Sequence, residues 1–288
     1  MDRTVPSAIL LIHCPDQKGI IARVTEFLSR NKGNIIDLDE HVDGHEKIFF
    51  MRVEWELEGF VIPMEQISDR FREEIGDRYQ MVWALHYKGT KPKVCVFVSK
   101  YPHCLYDILS RYQSGEWSIQ IPLIISNHDH LSDIAARFDI PFYHIPINRD
   151  NKQAREQYQR SLLKQHEVDL IVLARYMQIL SENFVREYPN KIINIHHSFL
   201  PAFPGAKPYH SAYARGVKII GASSHYVTTE LDEGPLIEQD VVRVSHKDSI
   251  QSLMRKGRDL EKIVLSRAIW HHLRHNVLVF KNRTVIFD

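Results

Sequence analysis

What this chain has little of already narrows what it can be. Cysteine is scarce, with only Cys14, Cys95 and Cys104 in 288 residues. Their odd number and lack of metal-ligand spacing argue against a disulfide scaffold or a thiolate metal site, and they read as reduced thiols of a cytoplasmic protein. Excess charge of one sign is missing too. Lys and Arg total 37 against 36 Asp and Glu, so no global field draws the chain to nucleic acid or to an anionic membrane. No apolar run approaches the roughly 18 residues that a membrane span needs. The opening MDRTVPSAILLIHCPD has an acid at position 2 and only a short apolar stretch, a poor secretory signal and a good first strand. Tandem repeats and low-complexity segments are absent.

What remains is the composition of a globular protein, 44% hydrophobic and 25% charged, with length enough for two domains. Residues 1–87 form the first. SAILLIHC is β-rich, PDQKG breaks it, and IIARVTEFLSRN has apolar residues at helical spacing, with Gly33 expected as its C′ residue. NIIDLDEHVD and KIFFMRVEWEL flank the turn-prone Asp43-Gly44-His45, PMEQISDRFREEIGD is a helix opened by Pro63, and QMVWALHY is a last strand. That order is a ferredoxin-like βαββαβ unit. The stretch PDQKGIIARVTEFLSRNKGNIID resembles the signature of ACT domains, modules that often bind amino acids between paired copies. The resemblance implies a homo-oligomer and an amino-acid effector, glycine or methionine, held near Asp16, Gly19 and Asn34. A ferredoxin-like unit used only for subunit contacts fits the same residues.

KGTKPK, residues 88–93, is a basic linker without apolar periodicity. Over 94–288, strands KVCVFVS, IQIPLIIS, PFYHIPI, VDLIVLA and KIINIH alternate with helical segments, and most are apolar on both faces. This predicts a doubly wound, mostly parallel α/β sheet. In KIINIH, Asn194 and His196 share a face, while His197 points the other way and reads as structural. An amide and an imidazole side by side at a sheet edge can both donate to a developing oxyanion. Further on, GASSHYVTTELDEGPLIEQD reads as a strand carrying His225, a loop shaped by Gly234 and Pro235 and holding Asp232, and another strand. Taken alone, Asp232 reads more readily as a solvated loop acid.

NIHHSFLPAFPG followed by SHYVTTELDEGPLI resembles the formyltransferase domain shared by enzymes that use 10-formyltetrahydrofolate. The resemblance covers nearly all of the chain beyond the linker. It implies that Asn194, His196 and Asp232 are catalytic and that His225 sits beside them. Asn194 and His196 would stabilise the oxyanion, and Asp232 would position the nucleophile and take its proton. LARYMQILS, residues 173–181, is similar to the family's folate-binding segment, which implies a pterin slot lined by Met177, Ile179, Leu180 and Val227. It implies no metal and no cofactor besides the folate substrate.

The acceptor is read from elsewhere. The loop SKYPHCLYDIL has no glycine, and Pro102 removes one N–H, so it makes a poor phosphate cradle. An ACT-like domain joined to this catalytic domain, with MRKGRDLEKIVLSRAIWHH near the C-terminus, resembles the formyltetrahydrofolate deformylases. That family implies hydrolysis to formate and tetrahydrofolate. A formyltransferase to a small amine and a non-catalytic folate or amino-acid sensor remain as alternatives. Two further signals carry less. His271 and His275 are spaced four apart on an expected helix without a nearby acid, and His103-Cys104 is a loop histidine beside a buried thiol.

Overall fold

The computed structural model describes residues 6–202 and 208–288. Pro204 and Gly205 of the NIHHSFLPAFPG motif lie outside the described residues, as does the start of the chain. Two compact units are formed: Met1–Thr90 with Arg274–Phe280 and Val285–Asp288, and Lys91–Leu273 with Lys281–Thr284. The boundary falls within the expected linker. The chain end departs from expectation, because most of it beyond Leu273 belongs with the first unit and not the second.

The first unit holds β1 (Ser7–Pro15), α1 (Ile20–Arg30), β2 (Ile35–Asp43), β3 (Ile48–Glu56), α2 (Met64–Phe71) and β4 (Val82–Lys88). The sheet order β2-β3-β1-β4, antiparallel throughout, is ferredoxin-like. Val24, Phe27 and Leu28 of α1 and Ile67 and Phe71 of α2 bury against Leu10, Ile12, Val53 and Trp55. Each such side chain contributes roughly 1.5–3 kcal/mol. α2 runs on as a π-helical turn at Arg72–Gly76. The first helix ends one residue earlier than expected. Lys32, not Gly33, is the left-handed residue, with φ 60°. Its N–H donates to the Ser29 carbonyl at 3.0 Å and that of Gly33 to Leu28 at 2.8 Å, a complete Schellman closure. Gly33 is there for space, since a Cβ would lie 3.1 Å from the Phe60 ring.

β1 is apolar on both faces because its second face is covered as well. Leu11 and Phe50 pack with Leu278 and Phe287 of the chain end, where β12 (Val277–Phe280) and β13 (Arg283–Ile286) pair. Beside them Arg52 is buried at 2% exposure. It donates to Glu54 at 2.8 Å, to Asp37, and to the carbonyl of His275 at 3.2 Å. Burial opposes the charge on Glu54, but hydrogen bonds from Lys88, Ser7 and Arg52 outweigh it and hold the carboxyl below its ordinary range. His275 stacks on His86 with ring centroids 3.9 Å apart. It lies beyond the last helix, so His271 and His275 do not share a helical face.

The second unit holds β5 (Val94–Val98), α3 (His103–Gln113), β6 (Ile124–Ser126), α4 (Ser132–Arg137), β7 (Phe142–His144), α5 (Lys152–Gln165) and β8 (Leu170–Ala174). There follow α6 (Glu182–Glu187), β9 (Ile192–His196), α7 (Pro208–Arg215), β10 (Ile219–Tyr226), β11 (Leu236–Arg243) and α8 (Ile250–Leu273). The sheet order is β11-β10-β9-β8-β5-β6-β7. β5 to β9 are parallel, and β10 runs antiparallel to both its neighbours. This is the expected doubly wound sheet. The strand order reverses between β5 and β8, where such folds open a crevice for ligands. Among the described residues no helix is long and apolar enough to cross a membrane.

Arg52 gives the first unit its most exacting requirement. Replacing it by methionine leaves Glu54 and the chain-end carbonyls short of donors, and is expected to cost about 3–5 kcal/mol. Urea unfolding followed by circular dichroism checks this, and a midpoint equal to wild type would contradict it.

Candidate active site

The register of β10 on β9 assembles the polar groups. His225 lies opposite Asn194 and Ser223 opposite His196. Residues directly paired across two strands present their side chains to the same face, so all four project together. Asp232 then reaches them from the loop between β10 and β11. Its Oδ2 is 3.2 Å from Nδ1 of His196 and its Oδ1 is 3.6 Å from Nε2 of His225. The structure thus brings together Asn194, His196, His225 and Asp232, which are separated by up to 38 positions in the sequence.

Proton positions follow from the partners. A carbonyl can only accept, so the 2.9 Å contact of His225 Nδ1 with the Tyr226 carbonyl places a proton on Nδ1. Nε2 is then free to accept from the Asn194 amide, 3.2 Å away. That bond orients Asn194 and leaves it one further N–H. Contact with His196 first, and with His225 second, holds the Asp232 carboxyl well below the ordinary carboxylate range, against the opposing effect of burial. A share from His225 would require a proton on Nε2, at the expense of the Asn194 bond. The geometry therefore puts the pairing on His196, whose Nδ1–H faces the ionised carboxylate. The other nitrogen of His196, Nε2, is buried without a hydrogen-bond partner among the described residues. A buried unpaired nitrogen costs roughly 1–3 kcal/mol, which a ligand could recover.

Backbone shape holds the acid in place. Asp232 itself is left-handed, with φ 56°. At Gly234 a Cβ would fall 1.7 Å from the Tyr226 carbonyl oxygen, the same oxygen that His225 binds. Only glycine admits that approach. The Pro235 carbonyl accepts from Tyr226 N at 2.9 Å.

Ser223 and Gln239 have no counterpart in the sequence reading. The Ser223 hydroxyl donates to the Ser198 carbonyl at 2.9 Å and accepts from Leu200 N at 3.0 Å and from Gln239 Nε2 at 2.8 Å. One donor and two acceptor sites are thereby all used. Gln239 also donates to the Leu200 carbonyl at 3.1 Å. This buried knot fixes the chain just beyond His196 and His197. No spacing in the sequence announces it, because its members meet only through the β9-β10-β11 register. His197 is buried against Tyr209, ring centroids 6.0 Å apart.

The expected pterin-lining residues separate into two kinds. Met177 and Ile179 are exposed apolar side chains after β8, while Leu180 and Val227 lean on the hydrophobic core beneath. Met177 N donates to Ser99 Oγ at 3.1 Å, tying the loops after β5 and β8 together at the switch point. In the first unit, Gly19 opens α1 with φ 91° and no side-chain cap, and Asp16 beside it is exposed. Asn34 instead gives its amide to Glu56 at 2.7 Å.

Among the described residues one cluster has metal-like spacing: His103, Cys104 and Glu261, with ligand atoms within 4.8 Å of one another. Its chemistry suits an internal network better. Glu261 accepts from Tyr209 at 2.8 Å, pairs with His103 at 2.7 Å and has Arg175 at 3.4 Å. Burial pushes the Cys104 thiol far up, away from the thiolate a metal would need. His103 has a strong partner after all, one that lies 158 residues away in the chain.

Residues 92–269 match the formyl transferase family and residues 8–76 the ACT domain. The chain is 53% identical over 281 residues to a formyltetrahydrofolate deformylase of Synechocystis sp., covering 98% of both chains. It is 44% identical over 280 residues to one of Bacillus subtilis, covering 97% of this chain and 93% of that one. The crystal structure of a formyltetrahydrofolate deformylase from Pseudomonas syringae superimposes with a TM-score of 0.95 at 44% identity, covering 100% of this chain and 96% of that one.

The depressed carboxyl of Asp232 has a consequence for stability. Its folded pKa lies below the unfolded value near 3.9, so the ionised form stabilises the fold fully above about pH 4. That contribution is lost as pH falls through the folded value. The unfolding free energies of wild type and Asp232→Asn are therefore expected to draw progressively closer as pH falls from about 5 to about 3. Urea titrations across that range measure it; a gap that stays constant down to pH 3 would contradict the pairing.

Proposed function

The chain belongs to the formyltetrahydrofolate deformylase family, and from that premise we propose that it hydrolyses 10-formyltetrahydrofolate to formate and tetrahydrofolate. The observation that carries the reading is the convergence of Asn194, His196 and Asp232, with Nε2 of His196 buried and unpaired. The formyl oxygen would accept from the free N–H of Asn194 and, once the ring is protonated, from Nε2 of His196.

Water adds to the formyl carbon, and the carbonyl electron pair moves onto oxygen. Asn194 offers its remaining N–H to that oxyanion. His196 can donate through Nε2 only as an imidazolium, because Nδ1 already carries the proton that faces Asp232. The ionised Asp232 is the counter-charge that makes this state accessible. The same carboxylate positions the water and takes its proton in passing. It is a weak base by its pairing, so it accepts the proton only as the oxygen bonds to carbon, and hands it on. The proton goes to N10 as the C–N bond breaks, leaving formate and tetrahydrofolate. His225 acts here through Asn194, whose amide it orients.

Supporting water over an amine acceptor is the state of the loop after β5. Tyr101 lies under the guanidinium groups of Arg175 and Arg258, each 5.2 Å from its ring centre, and His103 is tied to Glu261. The Tyr101 ring and Nε2 of His103 are thereby engaged within the protein. The ACT domain is read as an amino-acid site, with glycine or methionine as ligand bound at the Gly19 end of α1 and between paired copies of the chain. Calorimetric titration of the whole protein with each amino acid, beside sedimentation to fix the oligomer, checks that part.

For catalysis, purified protein is expected to release formate over many turnovers without an amine and with EDTA present. Asp232→Asn should lose about 10²–10⁴-fold in kcat while keeping folate affinity. Asn194→Ala should lose about 10²–10³-fold. Formate release that depends on an added amine would turn the reading to a transferase. Folate binding without turnover would turn it to a sensor.

A further inference from the structure

The loop that carries Asp232 is held from a second side, by the end of the chain. Asn282 Nδ2 donates to the Glu233 carbonyl at 2.8 Å, and Thr284 Oγ1 donates to the Leu236 carbonyl at 2.5 Å. These two bonds bracket Gly234 and Pro235 in the sequence. Residues 281–284 are the part of the chain beyond Leu273 that belongs with the second unit. Asn282 lies in the turn before β13 and Thr284 is the second residue of that strand, so the two bonds come from neighbouring positions of one short segment.

Resting on the deformylase reading, we propose that Asn282 and Thr284 are positioning residues for Asp232. The physical case is one of tolerance. Asp232 occupies a left-handed conformation, and its carboxylate must reach both His196 and the attacking water. One bond on the carbonyl of the very next residue limits rotation of the Glu233 peptide, and hence drift of the Asp232 side chain. The Thr284 bond fixes the far end of the same segment. Neither residue touches the reacting atoms; each acts on catalysis only through the acid. A misplacement of about 1 Å in such a group costs on the order of 10²-fold in rate.

The test uses the full chain, with Asn282→Asp, which keeps the shape and removes the donor, Thr284→Val, and the double variant. The double variant is expected to lose about tenfold or more in kcat for formate release, with KM for 10-formyltetrahydrofolate within about twofold of wild type. Amide deuterium exchange over residues 228–236 should quicken, while exchange in β9 and the melting temperature stay near wild type. Unchanged kcat and unchanged exchange over 228–236 would overturn the proposal. So would a parallel fall of kcat and melting temperature with exchange rising across the whole second unit, the mark of plain structural support. If wild type itself releases no formate, the deformylase reading fails, and the exchange over 228–236 still decides whether the chain end holds this loop.

Discussion

The antiparallel pairing of β10 on β9 is the constraint on which the site depends. It sets His225 opposite Asn194 and Ser223 opposite His196. Because side chains alternate with a period of two, a slip of one residue would turn each of these groups to the other face. The register is fixed by more than the ladder. Ser224 Oγ donates to the Asn194 carbonyl at 2.9 Å, and Val227 N donates to the Ile192 carbonyl at 2.9 Å. The Ser223 knot adds a third lock from the loop side. A site made of short polar side chains therefore takes its accuracy from backbone pairing, which is stiffer than any one rotamer.

That stiffness matters because the electrostatics leave little slack. The charge on Asp232 is favoured by its contact with His196. Each group is useful only with the other at its present distance. An isolated loop carboxylate would be a somewhat better base and a poorer counter-ion. On the proposed reading, the arrangement accepts weaker basicity in exchange for a cation that can face an oxyanion from a buried position. In water that exchange would be unfavourable; with His196 at 6% exposure the pairing is shielded from solvent.

Much of this was legible in the sequence, for identifiable reasons. Strands buried on both faces, amphipathic helices and the βαββαβ order follow from local periodicity, and they stand where expected. Asn194 and His196 could be placed together because alternation along one strand is a local rule. Features that depend on distant segments were not legible. Gln239 and Ser223 are ordinary strand residues until the hairpin register brings them to Leu200. The covered second face of β1 was visible only as unexplained apolarity in SAILLIHC, since Leu278 and Phe287 lie at the opposite end of the chain. Lys32 in place of Gly33 shows a subtler limit. Glycine is the usual left-handed residue after a helix, but here Lys32 takes that conformation and Gly33 follows it, where a Cβ would meet the Leu28 carbonyl oxygen and the Phe60 ring at 3.1 Å.

The choice between water and an amine rests on what the protein has left unspent. A transferase must keep donors and acceptors free to hold its second substrate. Here the groups best placed for that, His103, Arg175 and Tyr209, converge on Glu261, a carboxylate at 1% exposure. Removing one of them would leave the buried Glu261 charge less well compensated, so the network resists being opened by a ligand. Gly257 reinforces it: a Cβ there would lie 2.0 Å from the Tyr209 hydroxyl, so α8 is shaped to let that ring reach Glu261. The engagement of these groups by Glu261 favours a small nucleophile that needs no pocket of its own. Water satisfies that requirement, and it needs only Asp232 to hold it.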